Sequence, residues 1–181
     1  MLFRSAQPLV EKGQIMAKQQ FVVKEYPFPT LTAQTAEVDK EETVSYIALT
    51  AGGTTMTVGK WTGWIDYLDV NGEPMLLDRR SITPEFWRAP TDNDYGASLQ
   101  RHFQVWKNPE MKLKSVESKA NQVVSVFEMP SVKATLTMTY TLTANGEVIV
   151  SQKMDADENT KVSDMFRYGM QLQMPKQYDM V

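Results

Sequence analysis

The sequence predicts an all-β fold, an antiparallel β-sandwich, preceded by a short β segment and a linker. Three observations carry this. Residues 133–143 (KATLTMTYTLT) alternate without a break: Thr135, Thr137, Thr139, Thr141 and Thr143 face one way, and Leu136, Met138, Tyr140 and Leu142 the other. Strict period-two alternation marks a strand with one buried and one wetted face. Asn71-Gly72 and Asn145-Gly146 each separate two apolar-alternating runs, and Asn-Gly supplies the two successive positive-φ residues of a tight hairpin. Helical periodicity is confined to the short stretch 98–107.

Taken in order, residues 14–24 (QIMAKQQFVVK) read as a strand: Ile15, Ala17 and Gln19 alternate against Met16 and Lys18, and Phe21, Val22 and Val23 are β-formers. A turn signal, 11–13 (EKG), precedes it. From 25 to 43 the composition shifts. Pro27 and Pro29 break regular structure, and the polar run that follows ends in DKEE, so 25–43 reads as a linker between 1–24 and 44–181. Beyond it, strands are expected over 45–50, 54–58 (after a Gly52-Gly53 turn), 63–70, 74–77, 113–118, 123–129, 133–143, 147–154 and 162–174. Alternating antiparallel runs with turns between them are the pattern of a sandwich.

Composition removes several function classes. With 42% hydrophobic and 23% charged residues the chain is a globular sequence, not a disordered one. Its formal net charge of -3 leaves no basic excess to neutralise phosphates, which argues against nucleic acid as a partner. No apolar run approaches the roughly 20 residues of a membrane span, so no membrane partner is expected. There is no cysteine, which excludes disulfides, thiolate zinc sites and cysteine nucleophiles. His102 is the single histidine, so a three-histidine zinc site is impossible and a serine triad would rest on that residue alone. The first ten residues (MLFRSAQPLV) make a poor signal peptide, because Arg4, Ser5 and Gln7 interrupt the apolar run. Lack of cysteine suits a reducing or an oxidising compartment; a cytoplasmic location is favoured over a periplasmic one.

Residues 84–96 (PEFWRAPTDNDYG) concentrate the chemistry. Phe86 and Trp87 are adjacent aromatics, Arg88 carries a planar guanidinium suited to bidentate pairing, and Asp92, Asn93 and Asp94 crowd three acceptors before Gly96. An ordered loop is one reading, with Pro84 and Pro90 fixing the backbone, Asx-type bonds, Gly96 at positive φ and Arg88 paired with an aspartate. A calcium loop is a weaker one, since Gly96 stands where a third oxygen ligand belongs. Glycosidase chemistry needs two carboxylates across the scissile bond, one with a raised pKa. Asp92 and Asp94, two residues apart on a polar loop, offer no reason for their pKa values to diverge. Trp61, Trp64, Trp87 and Trp106 could stack on sugar rings or pack in a core, and packing is the better reading for any one of them. The 12 methionines read as core filler.

As a string, 86–96 (FWRAPTDNDYG) closely resembles a segment typical of long glycoside hydrolase family 2 β-galactosidases, near the start of their last domain. Residues 63–77 (GWIDYLDVNGEPMLL) resemble that domain's opening hairpin, and 8–23 (PLVEKGQIMAKQQFVV) the end of the preceding immunoglobulin-like domain. The resemblance implies that 1–24 is the tail of that immunoglobulin-like domain. It also implies that 44–181 is the N-terminal part of a supersandwich similar to galactose mutarotase folds. It implies a parent that hydrolyses terminal β-D-galactosides such as lactose with retention, using two glutamates on a (β/α)8 barrel. Such a barrel takes about 250 residues, so no catalytic residue and no cofactor is expected in this segment. Magnesium, and sodium as a further candidate, are expected in the parent.

What carries over is a loop near the active-site mouth that begins at Gly96 as a hinge, its base braced by Arg88, Asp92, Asn93 and Asp94, with Trp87 on the substrate side. The remaining β-galactosidase domains are the expected partners. Half a supersandwich would leave unpaired edges and uncovered apolar faces, so self-association is expected. Two rival readings are a freestanding carbohydrate-binding module and a structural sandwich without a ligand.

Overall fold

The structure is a computed structural model that describes residues 9, 11–13, 15, 17–25, 37–157 and 159–178. The chain divides into two compact units, Met1–Leu31 and Thr32–Val181. In the first unit the described residues form no strand. The strand expected over 14–24 is therefore corrected for residues 15 and 17–24: Ile15 makes a lone bridge and Phe21, Val22 and Val23 are exposed. Period-two alternation becomes a strand only where a neighbouring strand supplies a ladder. Gln14 and Met16 lie outside the described residues, as does much of the expected linker.

In the second unit the described residues form β1 (Asp39–Glu42), β2 (Tyr46–Ala51), β3 (Thr54–Gly59), β4 (Ile65–Val70), β5 (Glu73–Pro74), β6 (Thr83–Glu85), the helices α1 (Asp92–Gly96) and α2 (Leu99–His102), β7 (Lys112–Lys119), β8 (Gln122–Met129), β9 (Ala134–Leu142), β10 (Val148–Ala156) and β11 (Gly169–Gln171). Their pairing makes a five-stranded sheet in the order β1-β2-β3-β4-β5, a four-stranded sheet β10-β9-β8-β7, and a two-stranded pair β11-β6. Every pairing is antiparallel, as the alternation and hairpin turns predict. β1 forms within the stretch read as linker: its DKEE side chains are all exposed, and its backbone pairs with β2 from Asp39↔Thr50 to Glu42↔Ile47. Charged side chains on an edge strand discourage further pairing there.

The two large sheets share one core. Ile47 and Leu49 of β2, Met56 and Val58 of β3 and Ile65 of β4 are fully buried, and the same cluster holds Val123, Phe127 and Met129 of β8 with Leu136, Met138, Tyr140 and Leu142 of β9. Each fully buried side chain of this size contributes about 1.5–3 kcal/mol relative to exposure. The face assignment on β9 holds for the apolar row. Of the threonine row, Thr141 and Thr143 are buried, because their hydroxyls accept from Gln122 Nε2 and from the Glu147 backbone, each at 3.0 Å.

Gly63 sits where the sheets meet. Its φ is +73°, and a Cβ there would lie 2.6 Å from Leu113 Cδ1 and 2.6 Å from Phe127 Cζ. Its carbonyl accepts from the buried Tyr140 hydroxyl at 3.1 Å, and Trp64 stacks on Phe127 with centroids 3.9 Å apart and planes 7° from parallel. Glycine is required here by both the backbone conformation and the close approach.

Three further expectations are corrected. The run 162–174 forms a strand only at β11, because the partner it meets, β6, is three residues long. The return strand at 74–77 shortens to Glu73–Pro74, after which Leu77–Arg79 form a 3-10 turn. The helix at 98–107 is broken at Phe103 into α2 and a 3-10 turn, Gln104–Trp106.

Candidate functional site

The motif residues 86–96 lie beside the second half of the chain's helical segment and the irregular run before β11. β6 fixes their start, since its pairing runs from Thr83↔Gln171 to Glu85↔Gly169. Phe86 is buried and meets Trp106 edge-on, with centroids 5.5 Å apart. The Trp106 indole N–H donates to the Ser163 carbonyl at 2.8 Å. Trp87, half-buried, donates its backbone N–H to Glu85 Oε1 at 2.9 Å and meets Phe166 edge-on at 4.8 Å. Phe166 also meets Phe103 at 5.1 Å and lies under the Arg88 guanidinium, 4.6 Å from its centroid. Phe166 is thus the hub on which Trp87, Arg88 and Phe103 rest. Sequence reasoning missed it, because aromatic identity alone does not say which ring sits in the centre.

Arg88 and Asp94 form a bidentate pair, Nη1 to Oδ2 at 2.6 Å and Nη2 to Oδ1 at 3.1 Å. Asp94 Oδ2 also accepts from the Thr91 backbone at 2.7 Å and from the Thr91 hydroxyl at 2.9 Å. The Thr91 hydroxyl in turn accepts from the Asp94 backbone at 3.4 Å, completing a capping box. The Asp94 side chain is only 8% exposed while carrying this charge, and charge-assisted bonds of this geometry offset its desolvation. The Arg88 guanidinium holds the Asp94 carboxyl well below the usual carboxylate range, with the Thr91 backbone adding to the effect, and the Asp94 carboxylate raises Arg88 in turn. A general acid must keep its proton near neutral pH; Asp94 cannot.

Asp92 and Asn93 are exposed on the first turn of α1 and Gly96 is its last residue, also exposed. The structure therefore brings Trp87, Arg88 and Asp94 together around Phe166 and leaves Asp92, Asn93 and Gly96 on the outer face. Two details correct the loop reading. Residues 92–96 are helical, a consequence of the Thr91-x-x-Asp94 pattern, whose capping signal was available in the sequence. Gly96 does not adopt a positive φ, and a Cβ there would meet nothing within 4 Å. The left-handed residue is Ser98, at φ 57° between the helices.

Both Asp94 oxygens are engaged, Oδ1 by Arg88 and Oδ2 by Arg88 and Thr91. Among the described residues no group of three or more acidic or histidine side chains is placed to hold a metal ion. His102 is exposed at the end of α2. No helix among the described residues is long and apolar enough to cross a membrane.

The tryptophans divide by position. Trp106 is buried and Trp64 is part of the sheet-to-sheet stack, both packing roles. Trp61 is 77% exposed. It lines an open cleft of about 520 Å3 on the outer face of the five-stranded sheet, with Tyr46, Tyr67, Asp66, Glu41 and Arg79.

Comparison with known proteins bears on the whole of this arrangement. Residues 50–181 match the family described as β-galactosidase small chain. A β-galactosidase of Priestia megaterium (strain DSM 319 / IMG 1521) is 25% identical over 174 residues, covering 92% of this chain and 16% of that protein. A β-galactosidase of Lactobacillus delbrueckii subsp. bulgaricus is 31% identical over 125 residues, covering 65% of this chain and 12% of that protein. The chain thus spans less than a fifth of the length of these curated relatives. A family match that begins at the end of β2 and takes in β3 to β5, the whole four-stranded sheet, the Arg88–Asp94 pair and β11 leaves one assignment: the chain belongs to the β-galactosidase small-chain family.

Proposed function

We propose that this chain serves as a non-catalytic segment of a retaining family 2 β-galactosidase acting on terminal β-D-galactosides such as lactose, in which it shapes the active-site rim and meets other domains or subunits. The observation that carries the reading is the saturation of Asp94. The motif's one buried carboxylate is consumed by Arg88 and by the helix cap, so the segment is a brace and not an acid or a nucleophile. In that role Trp87 and Arg88 stand on Phe166, the cap sets the direction of α1, and Asp92, Asn93 and Gly96 face outward toward the rim. The catalytic glutamates and the parent's magnesium lie in other segments of the parent, and 44–181 forms the first part of its supersandwich. A cytoplasmic location accords with this role.

Exposed apolar side chains support contact surfaces. Val44, Val70, Tyr95, Tyr168, Leu172 and Met174 are all exposed in the second unit. The β10 edge carries Val148, Ile149 and Val150, half-buried, where β1 carries charge. The first three residues of β10 carry no charge, and an uncharged stretch of sheet edge is a template for another strand. The test is twofold. Purified chain is assayed with a chromogenic β-galactoside, and light scattering is recorded behind size-exclusion chromatography. No release of product and a dimer or larger assembly are expected. Hydrolysis proportional to chain concentration would overturn the non-catalytic role, and a compact monomer would overturn the contact role.

A further inference from the structure

We infer that the outer face of the five-stranded sheet carries a saccharide-binding cleft, separate from the motif segment, that takes a neutral pyranoside between Trp61 and Tyr67. Sheet register builds its floor. Glu41, Ala48, Thr57 and Tyr67 are successive partners across β1, β2, β3 and β4, and Tyr46 pairs with Gly59 one step along. Small residues, Ala48, Thr57 and Gly59, thus occupy the middle of the row while aromatics stand at its sides, which makes the face concave. The cleft measures about 520 Å3, within the range of small-ligand sites.

Three features go beyond a shallow surface. Trp61 is 77% exposed on the loop between β3 and β4, a large ring with an open face and no packing role among the described contacts. Gly59 makes room: a Cβ there would lie 2.6 Å from Thr62 Oγ1 and 2.8 Å from Asp66 Oδ2, so the glycine lets both polar groups turn toward the floor. Arg79 stands over the Tyr67 ring at 5.1 Å, and it is held there by two consecutive left-handed residues, Asp78 at φ 49° and Arg79 at φ 57°. Non-glycine residues in that region are strained, and such strain clusters at ligand clamps.

The chemistry of the lining selects the ligand. Aromatic faces accept the apolar C–H side of a sugar ring. Glu41 and Asp66 accept hydrogen bonds, Arg79 donates, and Thr57 and Thr62 do both. Opposed charges within one cleft favour a neutral polyol over an anion or a cation. Burial pushes the Asp66 carboxyl up, against the lowering effects of a backbone hydrogen bond and of the Arg79 charge.

The test uses the 181-residue chain with methyl β-D-galactopyranoside and lactose, read by saturation-transfer NMR and by titration calorimetry. Saturable binding with a Kd on the order of 1 mM is expected. It should weaken at least about tenfold in Trp61→Ala and in Asp66→Ala, and stay unchanged in Lys153→Ala, an exposed residue of β10 outside the cleft, with circular dichroism confirming the fold of each variant. Absence of saturation at tens of times that concentration would overturn the inference. So would binding that survives Trp61→Ala. An assembly that dissociates in Trp61→Ala without any sugar binding would also overturn it, assigning the cleft to a protein contact. None of these results bears on the reading of the motif segment, which shares no residue with the cleft.

Discussion

Replacing Gly63 by alanine tests how the two sheets are joined. The residue has φ +73°, and an added Cβ would come within 2.6 Å of both Leu113 Cδ1 and Phe127 Cζ. Phe127 cannot swing aside without breaking its stack on Trp64 at 3.9 Å. A non-glycine residue in the left-handed region costs about 1–2 kcal/mol, overpacking a core costs about 1–3 kcal/mol, and reduced freedom of the unfolded chain returns about 0.4–1 kcal/mol. The net expectation is a loss of about 3 kcal/mol. Gly72 is the control: its φ is +83° and nothing lies within 4 Å of an added Cβ, so Gly72→Ala loses about 1 kcal/mol from the backbone alone. With a urea m-value of about 2 kcal/mol/M, the midpoints should fall by about 1.5 M and about 0.5 M. Equal shifts in the two variants would show that the close approach of the sheets at Gly63 is not as described.

Gly96→Ala should leave stability unchanged or raise it by about 0.5–1 kcal/mol, since the glycine ends a helix with open space around it; a lowered melting temperature would show that a side chain is not tolerated there. Asp94→Asn should unfold at lower urea than the native chain at pH 7, with the difference shrinking at pH 3. The folded carboxyl is depressed below its ordinary value of about 3.9, so its stabilising contribution is present above that pH and is lost as the pH falls. A pH-independent difference would contradict the Arg88 pairing. Tyr140→Phe should cost about 1–3 kcal/mol in a urea melt, because the buried Gly63 carbonyl loses its donor; a neutral result would mean that the bond contributes nothing.

Most of the sandwich was legible because its strands combine alternation with a nearby antiparallel partner. Residues 133–143 announced β9, and the two Asn-Gly turns announced the β4–β5 and β9–β10 hairpins. The misses share a cause. Residues 14–24 and 162–174 have β-forming composition, yet a strand needs a partner whose position no local pattern reveals. β1 was hidden by the opposite problem: DKEE has poor β propensity, and its pairing with β2 is set by the backbone alone.

At the motif, the pairing of Arg88 with an aspartate was foreseen, and the Thr91 signal that picks Asp94 was present but unread. The Phe166 hub could not be foreseen, since it lies 78 residues beyond Arg88 in the chain. The cleft beside Trp61 was equally out of reach, because concavity arises from the register of four strands and not from any one of them.

The role proposed for the Arg88–Asp94 brace is to shape the rim of a β-galactosidase active site. The direct measurement is kcat/KM for a chromogenic β-galactoside in a β-galactosidase whose matching stretch is replaced by this chain, compared with the same enzyme carrying Arg88→Met. Activity is expected in the first and a loss of ten- to about a hundredfold in the second, the scale expected when a rim group is displaced by about an ångström. Equal values in the two, or a folded and correctly assembled exchange enzyme that is silent, would contradict it.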